Sequence, residues 1–90
     1  MKLWIHWTER SEAHIARHDV EPYEVEETAE APYLAFPGRE GCTILLGRTH
    51  AGRHLTVVMV EATDEHRSWY IVTARDMTRA ERRRFERKHG

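Results

Sequence analysis

Cysteine is almost missing: Cys42 is the single one in 90 residues, so no internal disulfide can form. That agrees with a reducing compartment. With three prolines and five glycines, the chain shows no linker, low-complexity tract or internal repeat. No apolar run approaches the ~20 residues needed to cross a bilayer, which argues against a membrane protein. The opening Met1-Lys2-Leu3-Trp4-Ile5-His6-Trp7 lacks the long apolar centre and small-residue cleavage site of a secretory signal. It reads instead as the first strand of a cytoplasmic protein.

What is present fits one globular domain spanning residues 1–90. Apolar residues make up 40% and charged residues 32% of the chain, a composition with a small core and a heavily charged surface. The net charge of −1 conceals segregation. Between Glu9 and Glu40 nine acids face three bases, a balance of −6, whereas between Arg75 and Lys88 seven bases face three acids, a balance of +4. Such a chain has an electrostatic field with two poles. The basic end suits RNA phosphates or an acidic protein; the acidic end repels nucleic acid.

Periodicity gives the element order. Leu3 to Trp7 alternates with the two-residue period of a strand. Thr8 offers an N-cap for a helix over Glu9–Arg17, ended by His18 and Asp19. Pro22 suits the first position of a second helix, Tyr23–Ala31, stopped by Pro32. Tyr33–Phe36 is a short apolar segment closed by Pro37-Gly38. Cys42–Thr49, Leu55–Ala62 and Ser68–Ala74 read as strands, joined by turns at His50-Ala51-Gly52-Arg53 and Thr63-Asp64-Glu65-His66. The run Val57-Val58-Met59-Val60 is apolar on both faces, which predicts a central strand. Thr78 with Glu81 forms a capping box for a last helix reaching His89. Its apolar stripe is thin: Phe85, with Ala80 and the preceding Met77. The expected fold is α+β: an antiparallel sheet of four to five strands, two N-terminal helices on one face supplying the core, and a C-terminal helix.

The segment Trp69-Tyr70-Ile71-Val72-Thr73-Ala74-Arg75-Asp76-Met77-Thr78 carries the strongest local signal. Alternation puts Ile71, Thr73 and Arg75 on one side and Val72 and Ala74 on the other. Arg75 stands where the strand meets the basic helix, and its fork of donors suits a phosphate or an anionic transition state. The competing reading is a salt bridge from Arg75 to Asp76 or Glu81 that fixes the helix.

Ile71-Val72-Thr73-Ala74-Arg75, then Thr78 and Glu81-Arg82, resembles the C-terminal signature of the BrnT family of bacterial toxins. The resemblance extends upstream through Trp7, Ile15, His18-Asp19-Val20, the helix from Glu24 to Ala29, Leu46-Gly47-Arg48, Gly52-Arg53 and Leu55-Thr56-Val57-Val58. It covers nearly the whole chain in order. It implies a RelE-like fold and a ribonuclease toxin of a type II toxin–antitoxin pair that arrests growth by cutting RNA. The implied partner is a cognate antitoxin, which would carry the pair onto operator DNA. Two departures stand out: Asp19 replaces the family's usual glycine, and this chain is slightly acidic where family toxins tend to be basic.

RNA cleavage of this type requires a proton acceptor for the 2′-hydroxyl, stabilisation of the charged phosphorane and a proton for the leaving oxygen, with no metal or other cofactor. Arg75 and Arg48 are the candidates for phosphate and transition-state binding, and Thr73 for holding a phosphate oxygen. His50 or His54 is the candidate proton carrier, against the plainer reading of both as turn and edge polarity. Arg53 and Arg82, with Arg79 and Lys88, would guide the RNA backbone or simply be solvated. His14 and His18, four residues apart, share a helix face but lack the further ligands a structural zinc requires. Cys42 reads as a small buried strand residue. Trp4, Trp7 and Trp69 can stack on bases or pack the core. The rival to the nuclease is a non-catalytic interaction domain on the same scaffold, binding an antitoxin-like or other protein through the acidic helices. A DNA-binding autorepressor would need a helix-turn-helix pattern, and the sequence shows none.

Overall fold

Alternation between Leu3 and Trp7 produces a short strand, β1 (Trp4–His6), and Thr8 then caps α1 (Glu9–Ala16). Thr8 Oγ1 accepts from the Ser11 N–H at 3.0 Å, and Ser11 Oγ accepts from the Thr8 N–H at 3.0 Å. This box satisfies two of the donors that every helix start leaves unpaired. At the other end the Val20 N–H donates to the Ile15 carbonyl at 3.1 Å and the Asp19 N–H to the Ala16 carbonyl at 3.0 Å, with Asp19 at φ 58°. That is a Schellman-type closure with aspartate in the left-handed position. Its apolar clasp is Ile15 against Val20, both buried in the core cluster. Pro22 opens α2 (Pro22–Glu30), and the Glu24 carboxylate accepts the Glu21 N–H at 2.9 Å.

The remaining elements are β2 (Leu34–Pro37), a 3-10 turn at Arg39–Gly41, β3 (Thr43–Arg48), β4 (His54–Glu61), β5 (Ser68–Asp76) and α3 (Arg79–His89). This computed structural model describes residues 3–30, 32–62 and 68–89. The expected turn at Thr63-Asp64-Glu65-His66, the placement of Met1, Lys2 and Gly90, and the helix end at Ala31 lie outside the described residues.

The five strands form one sheet in the order β1-β5-β4-β3-β2, with β4 in the middle, as its doubly apolar run predicts. The sheet is mixed, which corrects the expectation of a purely antiparallel one: β1 pairs parallel to β5 while the other ladders are antiparallel. Most of the chain separates those two strands, so no hairpin forces them antiparallel.

Helices cover both faces. On one, Ile15, Val20 and Val25 from α1, α2 and their connection pack on Leu45, Leu55, Val57, Met59, Ile71 and Ala74. On the other, α3 lies over Leu46 and Thr56, with Phe85 buried beneath it. The expectation that two helices on a single face supply the whole core is therefore too narrow. Charge follows the layers. Among the described helices, α1 and α2 carry six acids against one arginine, and α3 carries six Arg or Lys against two acids.

One bulge changes which side chains meet. Val57 pairs with Ala74 and Val58 with Thr73, but Met59 pairs with Ile71, leaving Val72 as the extra residue. An inserted residue resets the alternation. Ile71 consequently joins Ala74 in the core under α1, while Thr73 and Arg75 stay on the α3 face; simple alternation had grouped Ile71 with them.

Gly47 is explained by contact. A Cβ there would meet Thr28 Cβ at 2.8 Å and the Thr28 carbonyl oxygen at 3.1 Å, so α2 rests directly on the β3 backbone. Gly47→Ala is expected to destabilise the fold by about 1–3 kcal/mol, read as a lower urea midpoint at unchanged slope. A midpoint equal to wild type would show that α2 is not seated on β3.

Candidate active site

Strand pairing gathers the sequence candidates on the α3 face. Arg48 pairs with His54 across β3 and β4, and one step along, Thr56 pairs with Arg75 across β4 and β5. Thr73 lies two residues before Arg75 on the same face. Above them α3 begins, and its first-turn acid, Glu81, decides what Arg75 can do.

Arg75 Nη1 and Nη2 donate to the two carboxylate oxygens of Glu81 at 2.8 and 2.9 Å. Thr56 Oγ1 donates to the same carboxylate at 2.8 Å, and the Thr78 N–H does so at 2.8 Å. The Glu81 N–H in turn donates to Thr78 Oγ1 at 3.1 Å, completing the expected capping box. The bidentate Arg75 fork first, then the Thr78 and Thr56 hydrogen bonds, hold the Glu81 carboxyl at about 2 against its own partial burial. The salt bridge weighed against a phosphate-binding role for Arg75 is thus present. Its guanidinium is occupied by an acid of its own chain, and it positions α3.

His54 is the chemically open group. Its side chain is 11% exposed, and Nε2 is covered by protein with no hydrogen-bond partner among the described residues. Glu86 Oε2 stands 4.0 Å away, too far for a hydrogen bond, so the contact is electrostatic only. Burial first, then the charges of Arg82 and Arg48, hold the imidazole below its ordinary value; Glu86 and a hydrogen bond to the Gly52 backbone oppose them without prevailing. A neutral imidazole with an unpartnered ring nitrogen can accept a proton. Phe85 packs edge-on against the ring at 5.8 Å between centroids. Arg48 is exposed and makes no hydrogen bond or ion pair among the described residues.

The other candidates separate. His50 sits at the hairpin tip but turns to the acidic helix: its N–H donates to Glu27 at 3.0 Å, and its ring lies 3.4 Å from Glu27 and 3.7 Å from Glu30. It belongs to the opposite layer from His54 and is removed from the site. Arg53 is also reassigned. Its guanidinium donates to Asp76 at 2.9 Å, Glu24 at 3.1 Å and the carbonyls of Asp19 at 2.7 Å and His18 at 3.3 Å. It clamps the α1–α2 turn to the end of β5 instead of guiding RNA. Arg82 reaches Glu86 at 3.0 Å from an exposed position, and Arg79 and Lys88 are exposed.

His18 lies past the end of α1, so it does not share a helical face with His14. Cys42 is half-buried in the connection before β3, not within a strand. Trp7 and Trp69 pack against the core, whereas Trp4 stands in solvent. Sequence reasoning missed Glu86, whose only signal was its spacing four residues after Arg82 on a basic helix. Compared with family models, curated proteins and solved structures, the chain finds no match.

Two acid-labile steps follow. The folded state keeps His54 neutral, so below the imidazole's ordinary 6.5 the unfolded chain takes up a proton the folded chain does not, and stability falls. Glu81 stabilises fully above its ordinary 4.5, and that contribution is lost as pH falls toward about 2. Urea midpoints measured from pH 8 to 3 should show both steps, and His54→Phe should remove the upper one. A pH-independent midpoint between 7 and 5 would contradict the buried neutral ring. At pH 7, Glu81→Ala should cost about 3 kcal/mol, the low end for breaking a buried pair because Arg75 is partly wet. Arg53→Ala should likewise destabilise by roughly 2 kcal/mol through its lost charged hydrogen bonds. Arg48→Ala should stay within about 0.5 kcal/mol of wild type. Equal losses for Arg53 and Arg48 would refute their division into clamp and free cation.

Proposed function

We propose that this chain is a metal-independent ribonuclease of the BrnT type, with a RelE-like fold and the toxin role in a type II toxin–antitoxin pair. The observation that carries the reading is His54: a neutral imidazole with an unpartnered Nε2, set between Arg48 and Arg82 on the sheet face that also holds Thr73. The order of strand, two helices, antiparallel strands and closing helix makes a small α+β domain, with helices on both sheet faces where the resemblance implies two on one. Asp19, the departure from the family's glycine, occupies the left-handed position at φ 58°, where both residue types are at home.

In this reading Nε2 takes the 2′-hydroxyl proton while the 2′ oxygen attacks the adjacent phosphorus. The bond to the 5′ oxygen breaks, and that oxygen takes a proton from water, leaving a 2′,3′-cyclic phosphate and a 5′-hydroxyl. The hydroxide so formed recovers the proton from the imidazolium. Arg48 and Arg82 neutralise the phosphorane, while Thr73, opposite Val58 and roughly 13 Å along the sheet from His54, lies too far away to hold the same phosphate. Arg82 and Glu86 must swing aside for RNA to reach Nε2; both side chains are about half exposed. The antitoxin binds this chain and supplies the contact with operator DNA.

A specific observation favours the rival, a non-catalytic interaction domain: the most suggestive arginine, Arg75, is saturated by Glu81. The two are separated by cleavage of end-labelled RNA in EDTA. The ribonuclease yields cyclic-phosphate ends, His54→Gln lowers the rate at least ~100-fold, and Arg48→Ala lowers it while the fold is retained. The acid limb of the rate should have its midpoint below 6.5, because burial lowers the imidazole from that ordinary value. Wild-type chain that cuts no RNA and does not slow growth when induced leaves only the interaction domain.

A further inference from the structure

We propose that the part of the α3 face left open at β1 and β5 is a base-stacking platform for single-stranded RNA, built from Trp4, His6 and Tyr70. The parallel ladder sets His6 beside Tyr70, and their rings stack at 5.1 Å between centroids with planes 23° apart. Trp4, two residues before His6, projects to the same face. Trp4 is 70% exposed and Tyr70 42%. The contacts of α3 run elsewhere: Arg84 lies over Phe36, Phe85 against His54, Glu81 on Thr56 and Arg75, and His89 on the Tyr33 carbonyl. Trp7 and Trp69, by contrast, pack against the core. A small domain that packs two half-buried tryptophans against its core and leaves a third exposed beside a stacked ring pair presents a recognition surface.

Charge selects the occupant. The basic helix lies on the same face as the rings, while α1 and α2 carry their acids on the other side of the sheet, of which Glu26 and Glu30 reach the β1 edge and line a cavity with Trp4. A polyanion is drawn to the first and repelled from the second. Arg84, Arg87 and Lys88 line, with Leu34, a groove of about 230 Å³ at the β2 edge of the same face, across the sheet from the rings, a place for phosphates of a strand that crosses it. The polyanion that uses rings as well as cations is one with unpaired bases; a duplex hides its bases, and its shape gives flat rings nothing to stack on. Tyr70 pairs with Val60, six residues after His54 on β4 and roughly 20 Å away at the rise of a strand, a span that a few nucleotides of extended RNA cover. The platform depends on the ribonuclease reading for its purpose, but binding is separable from cutting.

The test is fluorescence anisotropy of a labelled 2′-O-methyl oligouridine, which cannot be cut by its own 2′ oxygen, with the full chain. Trp4→Ala and Tyr70→Ala should each weaken binding roughly 5- to 100-fold, the range for losing one stacked base. Tyr23→Ala, an exposed aromatic on the acidic helix, should change it less than about twofold. A 2′-O-methyl duplex of equal length should bind more weakly. Far-UV circular dichroism and urea midpoints check that the exposed-site variants are folded. The platform is overturned by wild type that does not bind, by binding insensitive to both substitutions, or by preference for the duplex. Self-association of wild type that Trp4→Ala and Tyr70→Ala abolish would reassign the face to a second copy of the chain and equally overturn it. Cutting of ordinary RNA is scored separately. Platform-dependent binding without cutting sinks only the ribonuclease reading, and cutting with platform-independent binding sinks only the platform.

Discussion

The Glu81 carboxylate is the point on which the second layer of this molecule hangs. In one group it ends β5 through Arg75, meets the central strand through Thr56 and caps α3 through the Thr78 N–H. These partners come from three different elements. A carboxylate that accepts from a guanidinium fork, a hydroxyl and an amide has its charge fully compensated, so partial burial does not push it toward the neutral acid. Beneath it Phe85 supplies the only buried apolar side chain of the described part of α3. The helix is held by one charged knot and one ring, not by a broad apolar stripe.

That knot also fixes where the free cations are. Arg75 and Arg53, which look like phosphate ligands by residue type, are spent on holding α3 and the α1–α2 turn in place. Arg48 is left over, and with Arg82 it flanks the His54 imidazole, which burial favours in its neutral form. The helix that completes this cluster also covers it, since Glu86 and Arg82 stand over Nε2. Assembly of the cluster and access to it are thus set by the same element.

The layering separates signs of charge that the chain as a whole nearly cancels. His50 and His54 lie at the same hairpin and are four residues apart, yet one is drawn to the carboxylates of α2 and the other is buried under α3. The hairpin divides them because its strands form the middle of a sheet covered on both sides. The sheet therefore carries a cationic helix on one face and acidic helices on the other.

By itself the sequence determined the elements. Strand alternation, the Thr8 and Thr78 caps, Asp19 at a left-handed position and Pro22 at a helix start are local effects, settled by backbone sterics and hydrogen bonds a few residues apart. The central place of β4 followed from its apolar run. Only tertiary structure decided the parallel pairing of β1 with β5, the bulge at Val72 that turns Ile71 into the core, and the partition of five similar arginines and histidines into clamps and free groups. Those outcomes depend on which charges lie within a few ångströms after folding. Electrostatic partners separated by 23 residues, as Arg53 and Asp76 are, leave no periodic trace in a chain.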